Sequence, residues 1–169
     1  MSSFQKYKNF DEFEVWKYTP DLLRAFPFLM ENITWSWRVR CIMEFFVGYE
    51  VYYIKIQEQW AGYCVISSGR NKRYKFSNNT DIIFGRYFIA KDFRGQNLSV
   101  KMLNAVLNKC DISYNTAYAY VHDQNIASNK TMKKIGAVEV GKFFIKGLLR
   151  NNFEFNSDGD FILYKYEPK

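Results

Sequence analysis

Apolar and polar residues alternate over residues 14–18, a pattern that predicts a half-buried first strand. The next residues favour a helix start, because Thr19 can cap it, Pro20 suits its first position and Asp21 makes its first turn acidic. An apolar face continues along this predicted helix, with a proline that should kink or split it. The residues concerned are Leu22, Leu23, Phe26, Pro27 and Leu29.

A second helix is predicted to begin after Thr34, which can cap it, and to end at Gly48. Apolar residues recur along it at the spacing of one helix face, and they are Trp35, Val39, Ile42 and Phe46. We expect this face to lie in the core. Trp35 and Trp37 are also candidates for stacking on a ligand, but we expect them to pack in the core.

The apolar period then shortens to two. Residues 51–56 and 62–67 are predicted to form an antiparallel hairpin joined at residues 57–60. Residues 70–75 (RNKRYK) lie among turn-forming residues and predict an exposed basic loop, for which a phosphate-tracking patch is the alternative. Strand character returns at residues 82–89.

The second half of the chain alternates strands and helices. Residues 98–110 are predicted to be a helix, because Leu103, Val106, Leu107 and Cys110 repeat at helical spacing. Residues 116–121 alternate small apolar residues with larger polar or aromatic ones, which predicts a strand with two different faces. Because a helix links strands 82–89 and 116–121, these two strands should run parallel.

The last third of the chain is predicted to contain a short helix and two strand-rich arms. The helix begins at Asn125 and stops before Gly136, and the arms are residues 138–155 and 161–166. The turn-forming residues 156–159 (NSDG) predict a hairpin between the arms. The whole pattern predicts an α/β fold with a mixed sheet.

Two segments carry the strongest indication of function. Residues 94–99 (RGQNLS) form a polar turn between a predicted strand and a predicted helix. The free backbone N–H groups at such a helix N-terminus favour phosphate oxygens. About thirty residues later, residues 125–128 (NIAS) open the next helix directly after a strand.

These two segments resemble the motifs of the GNAT superfamily of N-acetyltransferases. The phosphate-binding signature of that family is Arg or Gln, two residues, Gly, one residue and Gly or Ala, and here Arg94 matches while Asn97 and Ser99 replace the two small residues. The second family motif is matched by Asn125, Ser128, Lys134 and Gly136. Asn tolerates the left-handed backbone conformation that Gly favours, so we expect the loop to keep its shape, with a purely structural turn as the alternative.

The resemblance implies one acetyltransferase-like domain over residues 1–169. Its central sheet would be mixed and mostly antiparallel, with about seven strands flanked by helices and two parallel strands splayed apart. The implied cofactor is acetyl-CoA, whose pantetheine arm would lie along the strand before the loop. The implied cofactor-binding residues are Phe88, Ile89, Ala90, Arg94, Gly95, Gln96, Asn97, Leu98, Ser99, Asn125 and Ser128. Asn125 can instead be a plain helix cap, and both roles are compatible.

The implied reaction is direct attack of an amine on the acetyl thioester. An amine of pKa near 10.4 must lose a proton at neutral pH, which costs roughly 4.6 kcal/mol, so a base or a water relay is needed. His122 is the first candidate for that base, Tyr120 is a candidate acid or water holder, and Asp123 is a weaker candidate. His122 can equally be a surface or capping residue. Many family members have a proton-donating Tyr where this chain has Met132.

Composition and charge limit which classes of protein remain possible. The formal net charge is +7 and the three cysteines lack metal-ligand spacing, so we expect reduced thiols and no metal site. No stretch is apolar enough to span a membrane, and the first residues lack the apolar core of a signal peptide, so a cytoplasmic protein is expected. Lys146, Arg150, Asn151 and Asn152 would line either an anionic acceptor site or a solvated edge.

Three functions follow from these patterns. The first is an acetyl-CoA-dependent N-acetyltransferase, monomeric or homodimeric, acting on a small metabolite, an amino sugar or a peptide N-terminus. The second is a non-catalytic acyl-CoA-binding module, suggested by Met132 and by the lack of a glutamate on strand 82–89. The third is a basic nucleic-acid-binding protein, suggested by charge alone. Because we prefer the first function, we expect no nucleic-acid or membrane partner.

Overall fold

The computed structural model describes residues 3–25, 34–109, 112–147 and 152–168. Within these ranges the strands are β1 (Ser3–Asn9), β2 (Glu14–Thr19), β3 (Tyr49–Ile56), β4 (Gln59–Ser68), β5 (Ile82–Ile89), β6 (Ala117–His122), β7 (Val138–Lys146), β8 (Asn152–Phe155) and β9 (Phe161–Tyr166). The α-helices are α1 (Trp35–Phe45), α2 (Leu98–Lys109) and α3 (Ile126–Ile135), and one turn of 3-10 helix spans Lys91–Phe93. None of these described helices is long and apolar enough to cross a bilayer.

The strands form one mixed sheet in the order β1-β2-β3-β4-β5-β6-β9-β7-β8. Its nine described strands exceed the expected seven, because β1 was not predicted and the arm at residues 138–155 divides into β7 and β8. The predicted α/β class, the mixed and mostly antiparallel sheet and the parallel β5–β6 pair are confirmed.

The parallel strands β5 and β6 separate soon after they begin. Their register contains only two pairs, Ile82 with Ala117 and Ile83 with Tyr118. Further along, β5 contains a bulge: between the pairs Val65↔Gly85 and Tyr63↔Phe88 it has one residue more than β4, and Arg86 takes a φ of 48°. Since a bulge bends its strand, β5 turns away from β6 and the sheet opens at this point.

Helices cover both faces of the sheet. On one face α2 and α3 bury Met102, Val106 and Met132 against the inward residues of β3 to β6. On the other face α1 places Cys41 against Tyr53 and Val65. Alternate residues of β3 and β4 belong to the two clusters, as the two-residue period of a strand requires.

The helix predicted after Thr19 is absent from the described part of that segment. Residues 20–25 are irregular, and the Asp21 carboxylate accepts hydrogen bonds from the N–H groups of Leu23 and Arg24, which closes a turn instead of a helix. Leu23 is 93% exposed. The remaining members of the predicted apolar face, Phe26, Pro27 and Leu29, lie outside the described residues.

Helix α1 exists where it was predicted, but it buries a different face. Trp35 is 78% exposed, and Ile42 and Phe46 are also exposed, so the prediction that they pack in the core is wrong. Cys41 and the carboxylate of Glu44 face the sheet instead. The apolar stripe misled the prediction because the buried face of α1 contains a charged residue. Trp37 is partly buried against the core, and Thr34 precedes the helix without a side-chain capping bond.

The predicted C-terminal hairpin is also wrong. β8 and β9 both pair with β7, on its two opposite edges, and not with each other. The turn at residues 156–159 therefore takes the chain across β7. The crossing is close at Gly159, where a Cβ atom would lie 2.3 Å from the backbone nitrogen of Phe143. Glycine is needed here for space rather than for turn geometry.

Candidate functional site

The loop between β5 and α2 presents backbone N–H groups to an open space. Gly95 and Asn97 adopt left-handed conformations, with φ of 82° and 54°, as the motif predicts. Within the described chain the backbone N–H groups from Gly95 to Ser99 donate to no partner. A Cβ atom added at Gly95 would meet nothing within 4 Å. Such a cluster of free donors at the start of a twelve-residue helix suits an anion.

Helix α3 holds this loop in place. The Lys134 ammonium donates to the Asn97 side-chain oxygen at 2.6 Å, and the hydroxyls of Ser99 and Thr131 lie 3.1 Å apart. These contacts bring the two sequence motifs together although they are about thirty residues apart in the chain. Lys134 also adds positive charge beside the free N–H groups.

The start of α3 combines capping with exposure to the same space. Asn125 is the N-cap, and its side-chain oxygen accepts from the Ser128 N–H at 3.1 Å. The helix ends at Gly136, which takes a left-handed φ of 86°. The capping role of Asn125 is therefore confirmed.

A cleft of about 470 Å³ joins these features. It runs from the loop along β5 and past the N-terminal half of α3, and its lining residues are Tyr87, Phe88, Ile89, Phe93, Arg94, Gly95, Asn97, Leu98, Ser99, Asn125, Ala127, Ser128 and Thr131. All of the cofactor-binding residues expected from the sequence line it except Ala90 and Gln96. Sequence reasoning missed Tyr87, Phe93, Ala127 and Thr131, since none belongs to a motif position.

Arg94 lies across the end of β5. Its Nε donates to the Ile89 carbonyl at 3.0 Å, and its guanidinium lies 5.7 Å from the centre of the Phe88 ring. Its positive charge is thereby held at the mouth of the cleft, between the strand edge and the free N–H groups.

A second, smaller pocket of about 80 Å³ lies on the opposite face of β5, at the bulge. Its most unusual residue is Glu44 of α1, which is only 3% exposed. The Glu44 carboxylate accepts from Ser67 Oγ at 3.2 Å, from the Tyr74 hydroxyl at 3.3 Å and from Arg86 Nη2 at 3.5 Å. The other lining residues are Val65, Ile83, Phe84, Gly85 and Tyr120.

The Glu44 site was not predicted because its members come from four separate segments. The sequence signal that identifies Glu44 is a lone carboxylate near the end of α1, between the apolar residues Met43 and Phe45. Tyr74, in the predicted basic loop, turns inward and is buried, and burial raises the pKa of its phenol. The predicted basic loop at residues 70–75 is therefore not wholly exposed.

Arg86 packs against the Trp37 ring, with 4.8 Å between its guanidinium and the ring centre.

The three catalytic candidates lie in different surroundings. Tyr120 lines the Glu44 pocket, within an aromatic cluster that contains Phe143 and Phe153. The His122 side chain is 42% exposed, and its Nδ1 accepts from the Gln124 N–H at 3.3 Å.

His122 packs edge-on against the ring of Phe161, at 5.1 Å between ring centres, and lines neither described pocket. Asp123 lies 3.3 Å from the His122 Nδ1 and 3.5 Å from the Lys142 ammonium. Met132 is fully buried in the core below α3. Lys146 pairs with Glu154 at 2.7 Å, and Asn152 begins β8, whereas Arg150 and Asn151 lie outside the described residues.

Comparison with known proteins identifies the fold. No protein-family model and no curated protein sequence matches the chain. A solved GNAT-family acetyltransferase from Streptococcus pneumoniae is 16% identical, with 72% of this chain and 67% of that chain covered and a TM-score of 0.52. An acetyltransferase from Salmonella typhimurium that modifies the N-terminal serine of ribosomal protein L7/L12 is 16% identical, with coverage of 78% and 73% and a TM-score of 0.55.

The acetyltransferase MccE of microcin C7 self-immunity, solved with acetyl-CoA and AMP, is 16% identical and matches over 93% of both chains with a TM-score of 0.56. These similarities agree with the splayed β5–β6 pair, the loop before α2 and the capped helix α3. The chain therefore has the fold of the GNAT N-acetyltransferases.

Proposed function

We propose that this protein is an acetyl-CoA-dependent N-acetyltransferase that acts on a primary amine by direct attack. The observation that carries the proposal is the cleft of about 470 Å³, which begins at the unpartnered N–H groups of residues 95–99 and runs along β5 to Tyr87, in the part of β5 that is no longer paired with β6. A ligand with phosphate at one end and a thioester at the other matches both ends.

The residues of the cleft fit such a ligand. The free N–H groups and Lys134 would hold the diphosphate, and the edge of β5 at Phe88 and Ile89 would hold the pantetheine arm. Asn125 and Ser128 would contact the arm from α3. When bound, acetyl-CoA supplies an activated acetyl carbon. The presence of acetyl-CoA in the structure of MccE, which shares this fold, supports the choice of ligand.

The pocket beneath α1 is the proposed site of the amine. It reaches β5 at Gly85 and Arg86, from the face opposite the cleft. The Glu44 carboxylate would attract the ammonium and accept its proton, and Ser67 and Tyr74 would keep that carboxylate oriented. In this assignment the base is a glutamate on helix α1, because β5 itself contains no glutamate.

The pocket also limits how the acceptor is held. A volume of about 80 Å³ holds an aminomethyl group but not a whole sugar or peptide, so the body of the acceptor would lie outside it. Small metabolites, amino sugars and peptide N-termini all satisfy this condition. The Salmonella neighbour acts on a protein N-terminus, which supports including peptides among the acceptors tested.

The proposal is tested by titration calorimetry with acetyl-CoA, followed by thiol release across a panel of amines. Arg94→Glu should weaken acetyl-CoA binding by about tenfold or more, because it places a negative charge beside the diphosphate, and its melting temperature should stay nearly unchanged. Lys91→Glu is the matched control, since Lys91 is an exposed cation in the turn after β5 that does not line the cleft.

The outcomes distinguish the three functions. Binding with amine-dependent thiol release supports the enzyme. Binding without release for any amine would instead indicate an acyl-CoA-binding module. No binding of acetyl-CoA, or equal affinity of wild type and Arg94→Glu, would refute the site, and salt-sensitive RNA or DNA binding would then favour the basic nucleic-acid-binding alternative.

A further inference from the structure

A thiolate that leaves a thioester needs a hydrogen-bond or proton donor, and the usual family position for that donor is Met132 in this chain. Met132 is buried in the core and has no proton to give. The cleft contains one phenol, that of Tyr87, which comes from the opposite wall on β5. A role for Tyr87 in thiol release rests on the proposed function.

The bulge in β5 explains why Tyr87 faces the cleft. Arg86 takes a left-handed conformation and turns its guanidinium toward Glu44 and Trp37 on the α1 face. Tyr87, the next residue, packs against the cluster that contains α2 and α3. The same bulge that opens the sheet therefore directs one side chain toward each pocket.

The hydroxyl of Tyr87 is buried, and within the described chain no group makes a hydrogen bond of good geometry with it. A buried hydroxyl without a partner is unfavourable and uncommon in folded proteins. Burial raises the pKa of Tyr87, and the neighbouring hydroxyls of Ser128 and Thr131 offset part of that rise. The Tyr87 phenol thus lies in a polar recess beside the cleft with its proton still available.

A chain of hydroxyls leads from this recess toward the loop. Thr131 Oγ1 lies 3.1 Å from Ser99 Oγ and donates to the Ala127 carbonyl at 3.0 Å. Ser99 is partly exposed at the start of α2. Hydroxyl groups both donate and accept, so Thr131 and Ser99 connect the recess of Tyr87 to the solvent side of the loop.

We infer that Tyr87 is the donor to the sulfur of the leaving thiol, in place of the residue missing at position 132. The amine nitrogen forms a bond to the acetyl carbon, the carbon–sulfur bond breaks and its electron pair goes to sulfur. The Tyr87 O–H stabilises that charge and passes its proton to sulfur. The ammonium gives one proton to water through Glu44 before the attack, and the nitrogen loses a second proton to water as the amide forms. Tyr87 regains its proton through Thr131 and Ser99, so one proton is released overall.

The ionisation of the phenol suits this role. Burial raises the pKa of Tyr87, and the nearby hydroxyls of Ser128 and Thr131 offset part of that rise. The phenol is therefore protonated at neutral pH. A free thiol has a pKa near 8.5, so above that pH a thiolate in the cleft would meet an intact O–H donor.

Titration calorimetry with coenzyme A and with desulfo-coenzyme A, which lacks the sulfur, tests Tyr87 apart from catalysis. At pH 9 the wild type should prefer the thiol form by about tenfold, as expected for a hydrogen bond to a charged group. Tyr87→Phe should lose that preference, keep its affinity for desulfo-coenzyme A and keep its melting temperature. Its kcat should fall by about a hundredfold.

Tyr63→Phe is the matched control, because Tyr63 is a half-buried phenol at the same level of the sheet on the opposite face. It should retain both the preference for the thiol and the kcat. If Tyr87→Phe keeps the thiol preference and the rate, the inference about Tyr87 is wrong while the proposed function stands. If Tyr87→Phe weakens both ligands equally and melts earlier, Tyr87 is a structural residue. If the wild type binds neither ligand, the proposed function itself fails.

Discussion

At the residue scale, the chemistry proposed here depends on side chains that no motif contains. Glu44 is a buried carboxylate whose three partners lie between 3.2 and 3.5 Å, at the long end of hydrogen-bond distances. A carboxylate held in this loose way keeps lone pairs available for an incoming ammonium. Its closest charged neighbour, Arg86, is partly exposed, so the pair is not fully shielded from water although Glu44 itself is buried.

Glu44→Gln should lower kcat by about a hundredfold, because the amide keeps the shape of the side chain but does not accept a proton. The loss of charge beside Arg86 should also lower the free energy of unfolding by about 1–3 kcal/mol. Steady-state kinetics and urea unfolding measure the two effects. Glu154→Gln, which breaks the surface pair with Lys146, should change neither by much. A fully active Glu44→Gln protein would exclude Glu44 as the base.

Asn97 gives a second prediction at this scale. Its left-handed conformation is strained for a residue with a Cβ, so Asn97→Gly should relieve about 1 kcal/mol while losing the bond from Lys134. These effects oppose each other, and we expect unchanged acetyl-CoA affinity and nearly unchanged stability. Asn97→Val should lose at least tenfold in affinity, since a β-branched residue disfavours that conformation. Calorimetry showing equal affinity in both variants would contradict the importance of the loop conformation.

At the element scale, the turn at residues 156–159 crosses β7 so closely that only glycine fits at position 159. Gly159→Ala would place a methyl group within 2.3–2.6 Å of the Phe143 backbone, so either β7 or the turn at residues 156–159 must move. We expect a loss of more than about 2 kcal/mol in the free energy of unfolding. Ser157→Ala, in the same turn, should cost less than about 0.5 kcal/mol. Urea unfolding that gave equal values for both variants would show that the crossing is not tight.

The elements that could be predicted are those with local signals. Helix α3 has a capping Asn and a stopping Gly, and β5 was predicted with its observed limits. The failures depend on distant contacts. The sequence does not show which edge of β7 each of β8 and β9 joins, because both choices leave the same alternation intact. The face of α1 was misjudged because Glu44 points inward.

The candidate site divides in the same way. Residues 94–99 and 125–128 could be located because phosphate binding and capping need particular residue types at fixed spacing. The bulge at Arg86 leaves no such pattern, yet it decides the directions of Arg86 and Tyr87. His122 was predicted as a candidate base because it is the single histidine, and the structure places it outside both described pockets.

At the scale of the whole molecule, the core constrains ionisation as well as packing. Burial raises the pKa of Cys41 to about 12, so the folded state keeps the thiol proton where the unfolded chain loses it near pH 8.5. This contribution to stability is complete below about pH 8.5 and is lost as the pH rises toward the folded-state pKa. The urea midpoint of the wild type should therefore fall between pH 7.5 and pH 10 more than that of Cys41→Val. Parallel declines would show that the thiol does not contribute.

The two pockets meet β5 from opposite sides, one lined by Tyr87 and the other by Arg86. Under the proposed function, acetyl-CoA would bind in the cleft and the amine in the Glu44 pocket. The two ligands would meet only at the opening between β5 and β6. Neither ligand would have to be released before the other binds, so the reaction would need no covalent acyl-enzyme. Double-reciprocal plots of the reaction rate should then give intersecting lines, as for a ternary complex. Parallel lines would instead indicate a covalent acyl-enzyme intermediate.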